Sequence, residues 1–124
     1  MTIGMVLIAV GRFLLGAYFV FSGVRNIFNF ATHSEVLSKK GIPYPLLALL
    51  AALAVMIVGG AMVALGFWPA IGAIGLVAFS VAANLLYHDF WNYSGEERMS
   101  HLNSVLTNLA LIGGLLLVFA TDWR

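Results

Sequence analysis

The chain has 124 residues, of which 62% are hydrophobic and 9% charged, with a formal net charge of +1 and no cysteine. A soluble domain carries about a quarter charged residues, and so small a core cannot hide this much apolar surface, so the solvent must be lipid. The near-neutral balance gives no basic patch for nucleic acid, and the missing thiols exclude disulfides, iron–sulfur clusters and cysteine-ligated zinc while leaving the redox compartment unread.

A bilayer core about 30 Å thick takes about 20 helical residues to cross. The first predicted span runs from about Ile3 to Phe28. It lacks a basic n-region, Arg12 interrupts it and no small-residue cleavage pattern follows, so it reads as a retained span rather than a signal peptide. The polar segment "NFATHSEVLSKKGIPYP" follows, and Pro43 and Pro45 open a second span to about Leu65, since first-turn amides need no helical partner. "GFWP" is a tight turn, Pro69 starts a third span to about His88, and about Leu102 to Ala120 forms the fourth. The expected fold is an all-α, integral membrane, antiparallel four-helix bundle occupying 1–124 as a single domain.

Lys and Arg set the expected orientation. The 1–2 and 3–4 connections hold Arg25, Lys39, Lys40 and Arg98, while the other side holds only Arg124, so both longer connections are predicted to be cytoplasmic and both termini periplasmic. Trp68 and Trp123 on one side, with Tyr44, Trp91 and Tyr93 on the other, fit interfacial belts. Glycines such as Gly16, Gly23, Gly59 and Gly60 supply small surfaces for close helix approach.

The polar residues inside the spans fall in three stripes. Ser80, Asn84 and His88 recur at i, i+4 and i+8 with Tyr87 beside them, His101, Ser104 and Asn108 at i, i+3 and i+7, and Tyr18, Ser22, Arg25 and Asn29 likewise. All point to the cytoplasmic end of the bundle. One reading is interhelical hydrogen bonding alone. The other is a polar pocket floored by Asn84 and Asn108 and rimmed by Arg25, His88, Asp89 and His101, suited to a quinone head, a lipid phosphate or a small anion. Haem ligation by His88 and His101 is disfavoured because both lie at the bundle's edge, and a metal site by the lack of a short ligand spacing, so no metal is expected. His33 reads as a solvated loop histidine.

Arg12 stands about nine residues, or about 14 Å, into the first span and is expected near the bilayer middle. A lone arginine there costs at least about 2.5 kcal/mol. Helical geometry places it on the Gly16 and Gly23 face, and no acidic residue lies within a span, so it is expected to meet a ligand, a water-filled cavity or another chain.

The segments "GRFLLGAYFVFSGVRNIFNF", "KKGIPYP", "VMIVGGAMVALGFWP", "HDFW" and "NLALIGGLLLV", in this order and spacing, resemble the DoxX family of small bacterial membrane proteins. The resemblance implies a four-helix protein of the bacterial inner membrane, often linked to redox systems as a partner of quinol-oxidising or thiosulfate-oxidising complexes. It also marks one departure: the family commonly has a glutamate just before the paired glycines, where this chain has Met56, expected at the depth of Arg12.

Three functions compete. The first is an accessory subunit of an inner-membrane redox complex, with membrane lipids and other integral membrane subunits as partners and no catalytic residue. The second is a subunit that itself binds quinone, with His88 or His101 exchanging a proton, Asp89 orienting the imidazole, and Asn84 or Asn108 donating to the carbonyl. The third is a lipid-binding or permease module drawing on Arg25, Lys39 and Lys40.

Overall fold

A computed structural model describes residues 2–122, with the backbone alone of Asp122. Trp123 and Arg124, which bear on the belt and the orientation, lie outside the described residues. Helix α1 (Ile3–Phe28) starts at Thr2, whose hydroxyl accepts from the Met5 N–H at 3.1 Å and so satisfies one of the open first-turn donors. Helix α2 (Phe30–Lys39) is short, α3 (Pro45–Leu65) carries one π turn at Val55–Gly59, and α4 (Pro69–Leu86) leads through a 3-10 turn (Phe90–Asn92) into α5 (Gly95–Asp122). Four apolar stretches, Ile3–Phe28, Pro45–Leu65, Pro69–Asn92 and Gly95–Thr121, are long enough to cross a bilayer, as predicted.

The boundaries depart from expectation in three places. Pro43 stays outside the second span, which starts at Pro45, and α4 stops at Leu86 rather than His88. The fourth span begins at Gly95 instead of Leu102, because "GEERMSH" is helical: Glu96 and Glu97 sit in the first turn, where carboxylates complement the helix N-terminus. The polar 1–2 connection folds as α2, whose Phe30, His33 and Leu37 at i, i+3 and i+7 lie along one side.

The α3–α4 turn is built by a left-handed Gly66 at φ 73°, with Phe67 N–H donating to the Met62 carbonyl at 3.0 Å and Gly66 N–H to that of Val63 at 3.4 Å. Pro69 then opens α4. The core is Phe19, Val63, Ala73, Leu76 and Leu115, drawn from all four spans. In lipid these contacts stabilise through dispersion and fit rather than water release. Helix α1 packs chiefly on the second half of α3 and α4 on α5, whereas α1 and α5 meet sparsely, at a point marked by Leu15 against Gly114.

The stagger of α1 against α3 separates the level of Arg12 from that of Met56. Gly16 lies against Gly60 and Ala64, and the Arg12 guanidinium lies beside Gly66, 3.1 Å from where a Cβ on that glycine would stand. Arg12 is therefore level with the α3–α4 turn, and about nine residues of α1, about 14 Å, extend past it. Met56 lies against Gly23 instead, about three turns away, so the expectation of a common depth fails. Counting residues from opposite helix ends gives equal depths only when α1 and α3 are flush, and they are not. The Arg12 Nε is buried with no hydrogen-bond partner among the described residues.

Candidate functional site: a cavity between the first and last helices

Beyond the Leu15–Gly114 contact, on the side of α2, helices α1 and α5 separate around a half-open cavity of about 710 Å³. That volume falls in the range of small-molecule sites, about 300–1,000 Å³. Helix α1 contributes Tyr18, Ser22, Arg25 and Asn26, and α5 contributes Ser100, Asn103, Ser104, Thr107 and Asn108. Behind these polar walls stand Leu49, Leu53, Met56 and Phe79, while His33 and Leu37 of α2 cover the end. The wall thus pairs an apolar back with hydrogen-bonding sides, and Tyr18, Asn103 and Thr107 are exposed along the gap.

Within this wall the Ser22 hydroxyl is buried and has no hydrogen-bond partner among the described residues, although a helical serine can bond its own preceding turn. A buried polar group without a partner costs about 1–3 kcal/mol. A water or a ligand atom in the cavity would remove that cost. The neighbouring Asn26 amide donates to the Met56 sulfur, a weak acceptor, at 3.8 Å.

Of the six residues predicted to form the pocket, Arg25, His88 and Asn108 line the cavity. Asn84 stands behind Asn108 and accepts its amide N–H at 2.8 Å, joining α4 to α5. His101 lies behind His88, their Nδ1 atoms 3.2 Å apart. Asp89 turns away to Lys40, in a shallow recess with Asn92. Among the described residues no group of three or more His, Asp or Glu converges as a metal site. Replacing Asn84 or Asn108 by leucine is expected to lower bundle stability by about 0.6–1.7 kcal/mol, the range of interhelical hydrogen bonds in lipid. The double replacement should cost less than the sum, measurable by a double-mutant cycle of unfolding in mixed micelles.

Two latches hold α2 over the cavity. The Lys40 Nζ donates to Asp89 Oδ1 at 2.5 Å and to the Tyr93 hydroxyl at 3.2 Å, and both Lys40 and Asp89 side chains are largely covered, at 17% and 16% exposed. Burial opposes the charge on Lys40, but the hydrogen bonds and charge of Asp89 and Tyr93 outweigh it and raise the pKa above the ordinary lysine value. The second latch joins His33 Nδ1 to the Tyr87 hydroxyl at 2.9 Å. Burial, and then the charge of Arg25, hold His33 below the ordinary imidazole pKa, so it is neutral at pH 7.

The sequence pattern did not reveal these roles: His33, expected as a solvated loop histidine, is half-buried on a helix against Tyr87, and Lys40, expected only as a basic residue for lipid, latches α2 to Asp89. The signal available was the Phe30, His33, Leu37 spacing in a segment that reads as loop. A pH effect follows with a definite sign. The folded protein binds its His33 proton less readily than the unfolded chain, so this latch is intact above about pH 6.5 and weakens as pH falls through the lowered folded value. Amide hydrogen exchange over 30–39, corrected for intrinsic rates, is expected to speed up between pH 7.5 and 5.5, and the change should vanish in His33→Leu.

The DoxX family profile matches residues 7–89. Inner membrane protein YphA of Escherichia coli (strain K12) is 21% identical over 116 residues, which is 94% of this chain and 83% of that protein. No solved structure matches. The chain belongs to the DoxX family, a multi-pass membrane protein by its four apolar spans.

Proposed function

We propose that this DoxX-family chain is an accessory integral membrane subunit of an inner-membrane redox complex, and that its part there is to hold the head of a quinone between α1 and α5. The observation that carries this reading is the half-open cavity of about 710 Å³, with an apolar back and, in its wall, the buried Ser22 hydroxyl that has no partner among the described residues. A quinone has an apolar ring that suits Leu53, Met56 and Phe79 and two carbonyl oxygens that accept from donors such as the Ser22 hydroxyl or a ring nitrogen of His88. It travels in the bilayer, and the gap between α1 and α5 gives it a lateral way in. The lipid-phosphate reading has less support, because Lys40, one of the three basic residues it relied on, is held by Asp89 and largely covered.

The test is gentle detergent extraction of the tagged protein from its native membrane, with mass spectrometry of what accompanies it. Stoichiometric recovery of a dehydrogenase, cytochrome or oxidase together with quinone is expected. A protein recovered alone, carrying phospholipid and no quinone, would contradict both halves of the reading.

A further inference from the structure

His88 and His101 approach from opposite sides of the α4–α5 connection and meet Nδ1 to Nδ1 at 3.2 Å, with ring centroids 5.4 Å apart. Two imidazole nitrogens at that distance need one proton between them, so one ring carries Nδ1–H and the other presents a lone pair. In the neutral pair the donor ring has a bare Nε2 and the acceptor ring carries Nε2–H. The rings are also ordered in space. His88 lines the cavity and His101 does not. His101 stands behind it under the Tyr93 ring, stacked at 4.3 Å and 23°, at the end of the bundle that bears α2 and the exposed Ser94–Ser100 segment.

From this arrangement we infer that His88 and His101 form a two-ring proton relay between the cavity and water at the α2 end of the bundle. The inference rests on the quinone reading of the cavity for the proton's source. A hydroxyl proton of a bound hydroquinone adds to the bare Nε2 of His88, the Nδ1 proton crosses to Nδ1 of His101, and His101 releases its Nε2 proton to water. One O–H bond breaks in the cavity and one forms in water, while each ring gains one N–H bond and loses another. One proton moves outward and no electron moves with it. Run backward, the same steps deliver a proton to a reduced quinone.

The charges around the pair permit this. Tyr87 stands edge-on to His88 at 5.1 Å, and Tyr93 covers His101. Lys40 and Asp89 neutralise each other beside them, Arg25 is on the cavity wall, and Glu97 and Arg98 precede His101 by one helical turn. Tyr93 and Asp89 are positioning residues here: one holds the His101 ring by stacking, the other fixes the connection through Lys40 and Asn92.

The test uses the full chain in lipid nanodiscs with 15N-labelled histidine, and reads the exchange of His88 ring protons with water at pH 7. His101→Asn keeps a hydrogen-bonding group next to His88 but cannot pass a proton through itself, and His101→Phe keeps the stack on Tyr93. Both are expected to slow His88 exchange at least about tenfold, while equilibrium dialysis of ubiquinone-1 gives a Kd within about twofold of the unaltered protein. A His88 exchange rate in both variants equal to that of the unaltered protein would overturn the relay, because cavity water would then carry the proton. Failure of the unaltered protein to bind ubiquinone-1, with the tenfold slowing present, would overturn the quinone reading and leave the relay between cavity and surface standing.

Discussion

Replacing Gly16 by alanine is expected to destabilise the bundle by about 3 kcal/mol, the upper end of the usual range for overpacking. A Cβ at Gly16 would collide with the Gly60 carbonyl oxygen and the Ala64 amide nitrogen and lie 2.8 Å from the Ala64 Cα, all of them backbone atoms of α3 that no rotamer change can move. The facing position is equally tight, since a Cβ on Gly60 would stand 2.8 Å from the Gly16 oxygen. Helices α1 and α3 must separate to admit the methyl, and the dispersion contacts of Phe19 with Val63 then weaken along the seam. Alanine gains up to about 1 kcal/mol of helix propensity over glycine, too little to offset this. Gly113→Ala is the control, because no described residue outside its own turn of helix lies within 4 Å of its Cβ position and only the propensity gain remains. Unfolding in mixed micelles should therefore give a large loss for Gly16→Ala and a null or slightly stabilising effect for Gly113→Ala.

Lys40→Met is the second large effect, and it is local to the cavity's cover. Lysine and aspartate here are both largely covered, so removing one leaves the other partly desolvated without its counter-ion. Asn92 still donates to Asp89 Oδ2 at 2.7 Å, which limits the damage. The expected cost is about 2 kcal/mol, or about 30-fold in the opening equilibrium of α2, against about 3–5 kcal/mol for breaking a fully buried pair. Helix α2 then keeps only the His33–Tyr87 latch and the partly buried Phe30 and Leu37, since none of its own residues is fully buried. Hydrogen exchange over 30–39 should rise by that factor in Lys40→Met while α4 remains protected. The neighbouring Lys39→Met should change it by less than about threefold, since Lys39 and Glu35 are 75% and 66% exposed and such pairs contribute little.

These two cases also mark what could be read in the sequence and what could not. The spans were legible because composition and length decide them, and the glycines foretold close approach without saying which helix each would meet. The Asn84 to Asn108 and His88 to His101 pairings were implicit in the polar stripes once α4 and α5 were antiparallel neighbours. Helix α2 was not, because a ten-residue segment with His33, Glu35 and Lys39 is as polar as a loop and declares itself only through three spaced residues. The same polarity hid the first two turns of α5, where Glu96, Glu97 and Arg98 face water. The difference in level between Arg12 and Met56 is hidden for another reason. Counting residues along a helix gives distance from its own end, whereas depth depends on the stagger between helices, here set by the Gly16–Gly60 contact and the Gly66 turn. Asp89 and Lys40 belong to connections distant in sequence, and only the folded chain brings them together.

The claim that the cavity between α1 and α5 receives a quinone is tested most directly by photolabelling the full chain in nanodiscs with an azido-benzoquinone and mapping the labelled peptides. Label is expected on the wall residues of α1 from Tyr18 to Asn26 and of α5 from Ser100 to Asn108, and an excess of ubiquinone-1 should abolish it. Label spread over the lipid-facing start of α1, around Ile3, Leu7 and Leu14, and unchanged by ubiquinone-1, would contradict it.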